Sequence, residues 1–319
     1  MKEHKEPESL QEAIIYFADP DNCIRYLSVR RWPDGKVICP TCGSDGVSEF
    51  NSTRRTWQCA SHHTKREFSI KVGTIFAESP IGLDKWLTAM WMLTNCKNGV
   101  SSCEIARAVK VSQKAAWFML HRIRLAVQDD FFGGKLGGEV EVDETFIGGK
   151  ARNMHLSERE RRITGTGGKG KTIVFGALER GGKVRAAVVE TRKKAGLQAC
   201  VREHVEAGAA LYSDALASYD GLAQEYAHKV VDHAEKYVDG QVHTNGLENF
   251  WSLLKRGIAG TYVSVEPFHL FRYLDEQMFR YNNRATKDNP LTDADRFDMA
   301  VRQIVGKRVT FAELTGKPN

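Results

Sequence analysis

The spacing of apolar residues changes several times along this chain. Between Leu10 and Phe17 they recur at helical intervals, and the helix this predicts runs into the turn signal Asp19-Pro20-Asp21. Residues 38–77 are short on periodicity and rich in polar residues and cysteine. Residues 80–128 return to helical spacing. There, Ser102–Val109 predicts a short serine-capped amphipathic helix, Lys110-Val111 a turn, and residues 112–125 a second helix. Trp117, Leu120 and Ile123 share one face of that second helix, with His121, Arg122 and Arg124 on or near the other. This is helix-turn-helix spacing with a basic second helix, which makes Arg122 and Arg124 candidate DNA contacts.

From residue 138 the period shortens to two. Glu139–Ile147 alternates charged and apolar residues as a strand does. β-rich runs at 172–178 and 184–190 flank Arg180-Gly181-Gly182-Lys183, a hairpin signal. A helix is expected over 193–205, a strand over 209–212, a helix over 216–226 and a strand over 228–231. Helical patterns dominate after Leu247. The order β-β-β-α-β-α-β-α combines hairpins, which give antiparallel neighbours, with βα units, which give parallel ones. A mixed five-stranded sheet with helices on its faces is the α/β solution. The expected organisation is an N-terminal helical segment (1–37), a cysteine-bearing block (38–77), a helix-turn-helix region (80–130), an α/β core (138–290) and a helical tail (291–319).

Composition narrows the class. At ~150 residues per domain, 319 residues suggest two or so domains. Hydrophobic residues at 42% and charged residues at 27% exclude a disordered chain, and a net charge of +6 admits a polyanionic partner. The charged start MKEHKEPESLQEA has no apolar signal region. The longest nearly uncharged stretch, Trp86 to Cys96, falls far short of the ~20 residues of a membrane span. A soluble cytoplasmic protein is expected. Between the first two strands, residues 148–171 carry seven basic residues against two acidic ones. Lys150, Arg152, Arg161, Arg162 and Lys169 are therefore candidate phosphate contacts, although the P-loop spacing is absent.

Cys39-Pro-Thr-Cys42 and Cys59-Ala-Ser-His62 form two knuckles separated by 16 residues. Thiolates and imidazole in that spacing predict one structural, tetrahedral Zn2+ held by Cys39, Cys42, Cys59 and His62, with adjacent His63 able to replace His62. Asp143 lies mid-strand, on the opposite face from Val140, Val142, Glu144 and Phe146. Asp214 ends a short strand, where ligand sites gather in α/β sheets. Glu248 begins a helix, with Lys255 two turns later on nearly the same face. Converging carboxylates are hard oxygen ligands for two Mg2+ or Mn2+ ions, which can promote phosphoryl transfer.

VEVDETFIGGK, LYSDALASY and VHTNGLENFWSLLKRGIAGTY, followed by FRYLDEQMFRYNNR, resemble the DDE-type transposases of bacterial insertion sequences. The resemblance is to the ISXO-like branch, which carries an N-terminal zinc ribbon. It extends through Tyr26-Leu, Arg31-Trp-Pro-Asp-Gly35, Cys39-Pro-Thr-Cys-Gly43 and Phe68-Ser to Gly73-Thr. It implies an RNase H-like core with Asp143, Asp214 and Glu248 as the metal-binding triad. Lys255 would contact DNA near the scissile phosphate. Asn245 is a second-rank candidate, because some members use Asn for the last acid, as are Glu144 and His243. Arg256, Arg280 and Arg284, interleaved with Trp251, Tyr262, Phe268 and Tyr281, would contact DNA. Partners implied are double-stranded DNA, as transposon ends and target, and further copies of the chain, in a nucleoid-associated assembly. His62 departs from the cysteine usual in the family ribbon. Two other readings fit the same residues: an RNase H-like nuclease without strand transfer, and an inactive zinc-ribbon DNA-binding regulator.

Overall fold

The computed structural model describes residues 5–316 apart from 129–133, 150–154, 158–159, 161–167, 169, 215, 232–242 and 288. The chain forms two compact units, residues 1–128 with 283–319, and residues 129–282.

In the first unit, helix α1 (Leu10–Phe17) is capped by the Ser9 hydroxyl. Asp19-Pro20-Asp21, expected as a turn, instead starts helix α2 (Pro20–Arg31). Asp19 accepts a bond from the Asp21 backbone N–H, and Pro20 sits where a missing N–H costs nothing. The cysteine block contains a short antiparallel pair, β1 (Trp57–Gln58) and β2 (Glu67–Phe68). Its apolar content is a knot of rings: Trp57 lies 5.3 Å from Trp32, 4.8 Å from Phe50 and 6.1 Å from Phe68. Helix α3 (Leu83–Asn95) buries Trp86 and Trp91. The C-terminal segment joins this unit because Phe297, fully buried, contacts Trp91, Phe17 and Tyr26 at 4.8, 5.7 and 5.7 Å between ring centres.

Helices α4 (Ser102–Val109) and α5 (Gln113–Ala126) follow. A Ser101–Glu104 capping box starts the first, Lys110 turns the chain at φ 52°, and Ser112 caps the second. The expected basic face of α5 is corrected by the structure. His121, Arg122 and Arg124 are buried. The Arg122 guanidinium donates to the carbonyls of Ile75 and Ala77 at 2.9 and 2.8 Å, tying α5 to residues 75–77. Both arginines lie on the helix side facing the unit's interior, so they are not surface DNA contacts. The exposed cations here are Arg107, Lys110 and Lys114. Among the described residues no helix is long and apolar enough to cross a membrane.

The second unit is built on a mixed five-stranded sheet of order β5-β4-β3-β6-β7. Its strands are β3 (Glu139–Ile147), β4 (Thr172–Glu179), β5 (Val184–Val189), β6 (Ala210–Asp214) and β7 (Ala227–Val231). The hairpins pair β3, β4 and β5 antiparallel, while β6 lies parallel to both β3 and β7. Helix α6 (Lys194–His204) covers one face, where Val140, Val142, Phe175, Ala177, Leu197 and Val201 form a core. Helices α7 (Asn245–Gly257) and α8 (Leu270–Asn282) cover the other, burying Val174, Leu178, Phe250, Leu254 and Leu274. The helix expected over 216–226 is instead two 3-10 turns, Ala217–Tyr219 and Leu222–Gln224, broken by Gly221 at φ 91°. A positive φ of that kind ends an α-helix.

Candidate active site and metal centre

Strand parity puts Glu141, Asp143 and Thr145 on the face covered by α7. The parallel ladder between β3 and β6 pairs Glu139 with Ala210 and Glu141 with Tyr212. Two residues beyond its last pair stand Asp143 and, at the carboxyl end of β6, Asp214, close enough for the Asp214 charge to act on Asp143. The two carboxylates feel each other. Burial pushes the Asp143 carboxyl up to about 6; a hydrogen bond from Trp251 opposes this, and the charges of Glu144 and Asp214 add to it. Both Asp143 oxygens are oriented, Oδ1 by the Glu144 backbone N–H at 2.8 Å and Oδ2 by Trp251 Nε1 at 2.9 Å. Asp214 Oδ1 accepts from the Leu216 N–H at 3.2 Å.

Helix α7 approaches the sheet closely because two glycines let it. A Cβ at Gly176 would stand 2.5 Å from the Trp251 ring, and one at Gly246 2.8 Å from Glu141 Oε2. Trp251 and Leu247 thereby sit directly over β4. Glu248, exposed, follows Leu247 on the same helix, and Lys255 and Arg256 are exposed farther along it. Asn245, also exposed, opens the helix.

The donor set suits divalent cations. Asp143 and Asp214 are oxygen ligands with lone pairs left over, and a cation there would offset the cost of burying the Asp143 charge, which is what chiefly raises it. Among the described residues, the three carboxylates do not gather into one tight ligand cluster as the three cysteines and His63 do. Ligands shared between two ions ~3.5–4 Å apart stand farther apart than ligands of one ion.

Glu144 points to the other face. It is paired with Arg192 at 2.6 Å and accepts from the Tyr219 hydroxyl at 3.0 Å, so it is a buried structural carboxylate. His243 lies against Glu141 and Arg180. Arg280 is corrected as well. Buried beside Glu276 and bonded to it and to Gln277, it braces α8 internally and is not a DNA contact. Arg284 is exposed in the first unit. Lys150, Arg152, Arg161, Arg162 and Lys169 lie outside the described residues. Sequence reasoning took Trp251 for a DNA-side aromatic. Its position three residues after Glu248, on the helix side facing Asp143, was the available signal for its real role. Glu141, on the same strand face as Asp143, was likewise missed.

The zinc-type centre is local. Ligand atoms of Cys39, Cys42, Cys59 and His63 all lie within 4.8 Å of one another. Cys39 Sγ is 3.5 Å from His63 Nε2, and Cys42 Sγ is 3.6 Å from Cys59 Sγ. Zn–S bonds of about 2.3 Å in a tetrahedron require sulfurs about 3.8 Å apart, so the set fits Zn2+. His63 replaces the expected His62, which is exposed. Strand β2 begins only four residues on, and the chain entering it turns His63 inward. Despite the burial that would raise it, backbone N–H groups of Cys42 and Thr41 and the neighbouring thiols lower the Cys39 thiol to about 6, favouring a thiolate ligand.

Residues 135–282 match the model of the ISXO2-like transposase domain, and residues 18–64 that of the transposase zinc-ribbon domain. An uncharacterized protein in transposable element ISH50 of Halobacterium salinarum is 26% identical over 256 residues, covering 77% of this chain and 85% of the relative. An uncharacterized transposase-like protein of Haemophilus influenzae is 31% identical over 106 residues, covering 33% of this chain and 85% of the relative.

Proposed function

The chain belongs to the ISXO2-like transposases, and from that premise we propose that it is a DNA transposase acting by metal-dependent phosphoryl transfer at Asp143, Asp214 and Glu248. The observation that carries this reading is the pair of carboxylates Asp143, in the middle of β3, and Asp214, at the carboxyl end of the neighbouring β6, with Asp143 raised to about 6 by burial and by its acidic neighbours. Two Mg2+ or Mn2+ ions held there would supply an activated oxygen nucleophile and neutralise charge on the phosphate. Asp143 is kept in one orientation by Trp251 and the Glu144 N–H. Lys255 and Arg256, exposed on the helix that carries Glu248, neutralise the DNA backbone beside the cut. Water attacks the phosphodiester at the element's end and the 3′-oxygen leaves as a 3′-hydroxyl. That hydroxyl then attacks a target phosphodiester in line, exchanging one ester for another without a protein-linked intermediate.

The ribbon and the exposed cations Arg107, Lys110 and Lys114, on α4, on α5 and in the turn between them, bind the element's terminal repeats in this reading. Joining two ends calls for a dimer or larger assembly on DNA. The test is a cleavage and strand-transfer assay with labelled end DNA, target plasmid and Mg2+ or Mn2+, run beside Asp214→Ala. Metal-dependent joined product, lost in the variant, supports the proposal. Cleavage without joining makes the protein a nuclease, and end binding without chemistry in the wild type makes it a regulator.

A further inference from the structure

Helix α7 starts badly by its own means. Thr244, at its cap position, makes no side-chain capping bond. The missing acceptor comes from β3: Glu141 Oε2 accepts the Leu247 backbone N–H at 3.1 Å. A carboxylate at a helix N-terminus is favoured by both the unsatisfied N–H groups and the helix dipole. The other oxygen, Oε1, accepts Arg180 Nε at 3.0 Å, and His243 Nδ1 stands 3.4 Å from it. Arg180 also donates to the His243 carbonyl at 2.8 Å, gripping the chain just before the helix, while its guanidinium stacks 4.2 Å over Tyr212. Glu141 is 1% exposed, so this is an interior network around a fully engaged carboxylate.

Its place matters. Glu141 and Asp143 are two residues apart on one face of one strand. Leu247 and Trp251 are one turn apart on one helix. Two bonds, Glu141 to the Leu247 N–H and Asp143 to Trp251 Nε1, therefore join the same strand to the same helix on either side of Glu248. Gly246 exists at that junction because a Cβ would meet Glu141 Oε2. We propose that Glu141, braced by Arg180 and His243, is a positioning residue that sets the height and rotation of α7 and so places Glu248 relative to Asp143 and Asp214. This rests on the metal-site reading above.

Groups that hold metal-binding carboxylates in place typically alter metal affinity or activity by about 10–100-fold when changed. The experiment is Mn2+ titration of the full chain by calorimetry, which needs neither DNA nor turnover, followed by end cleavage at varied Mn2+. Wild type, Asp143→Ala, Glu141→Gln and Gly246→Ala are compared, with thermal unfolding of each. Mn2+ binding lost in Asp143→Ala establishes the site independently of Glu141. The proposal then expects Glu141→Gln to weaken Mn2+ binding about tenfold and to raise the Mn2+ concentration for half-maximal cleavage in step, with end-DNA affinity unchanged. Gly246→Ala, which leaves Glu141 intact but pushes the helix off it, should move the same two quantities in the same direction. This variant decides the matter if Glu141→Gln does not fold. Wild-type Mn2+ affinity in both variants overturns the positioning role and leaves the metal site standing. No Mn2+ binding by the wild type overturns the metal-site reading itself, and this proposal with it.

Discussion

The four zinc-type ligands fall within 25 consecutive residues, Cys39 to His63, whereas Asp143, Asp214 and Glu248 are drawn from a stretch of 106. In the first centre, two knuckles and a two-residue strand pair suffice to bring donor atoms within 4.8 Å. In the second, as proposed, any convergence would depend on the register of β3 against β6 and on the close docking of α7 that Gly176 and Gly246 permit. A local site is paid for by its ion, since so small a ring cluster cannot hold 38–77 folded alone. The proposed distributed site would be held by the sheet and its cores, and would have to tolerate a buried carboxylate in Asp143.

The largest test of this contrast removes the zinc. Structural Zn2+ contributes about 10 kcal/mol or more of folding free energy in small modules. Cys59→Ala should therefore lose the bound zinc and unfold residues 38–77, while strands β3 to β7 keep their amide protection. Metal analysis with hydrogen exchange reads both. His63→Ala should lose zinc as well, and exposed His62→Ala should keep it. Retention in His63→Ala would return the fourth ligand to His62.

Next in size is a break in the helix docking. Gly176 has no room for a side chain beneath Trp251 and Leu247. Gly176→Val should cost about 3 kcal/mol in urea unfolding of the second unit, because overpacking moves a helix that is tied at two points. Zinc content should be unaffected. An unchanged urea midpoint would mean that α7 is not held against β4 as described.

What the sequence could tell follows the same division. The strand Glu139–Ile147 was legible to the residue because charged and apolar residues alternate along it, and the hairpin around Gly181-Gly182 because turn chemistry is local. The zinc knuckles were legible by spacing, although spacing could not decide between adjacent histidines. Asp143 and Asp214 could be nominated from parity and strand ends. Arg122, Arg124 and Arg280 were misplaced because a helical face says nothing about which neighbour covers it. The buried carbonyls of Ile75 and Ala77 take up Arg122 and the carboxylate of Glu276 takes up Arg280, while Arg124 is buried. Glu141 passed unnoticed because its partner, the Leu247 N–H, is 106 residues away.

A smaller effect concerns the buried charge of Asp143. The Asp143 carboxyl is lifted from 3.8 to about 6, chiefly by burial. Its folded pKa lies above its unfolded one, so between those values the folded state binds the extra proton, and stability falls as pH rises through that window. Asp143→Asn has no charge to bury. Against this it keeps only one of the two accepted bonds, because its amide nitrogen donates and cannot accept, a loss of about 1 kcal/mol. Without added divalent cation it should exceed wild type by about 1–3 kcal/mol at pH 7, and the gain should vanish below pH 4. Added Mg2+ should shrink the gain at pH 7 by stabilising wild type alone. Urea unfolding at the two pH values, with and without Mg2+, measures each part. An advantage that persists at pH 4 would trace the effect to packing and not to charge.

The last comparison, whose DNA-side variant has the smallest effect on stability, separates cations by where they stand. Arg256 is exposed beside Lys255 on α7, whereas Arg280 is buried against Glu276 on α8. Arg256→Ala should leave unfolding within about 0.5 kcal/mol of wild type. If it touches a phosphate, the slope of log affinity for end DNA against log salt should fall by about 0.9. Arg280→Ala should do the reverse, costing about 3 kcal/mol or more by stranding a buried carboxylate, with the salt slope unchanged. The two variants differ only in burial and partner, so a salt slope that moves with Arg280, or a stability that moves with Arg256, would contradict this assignment of which cations serve the fold and which serve DNA.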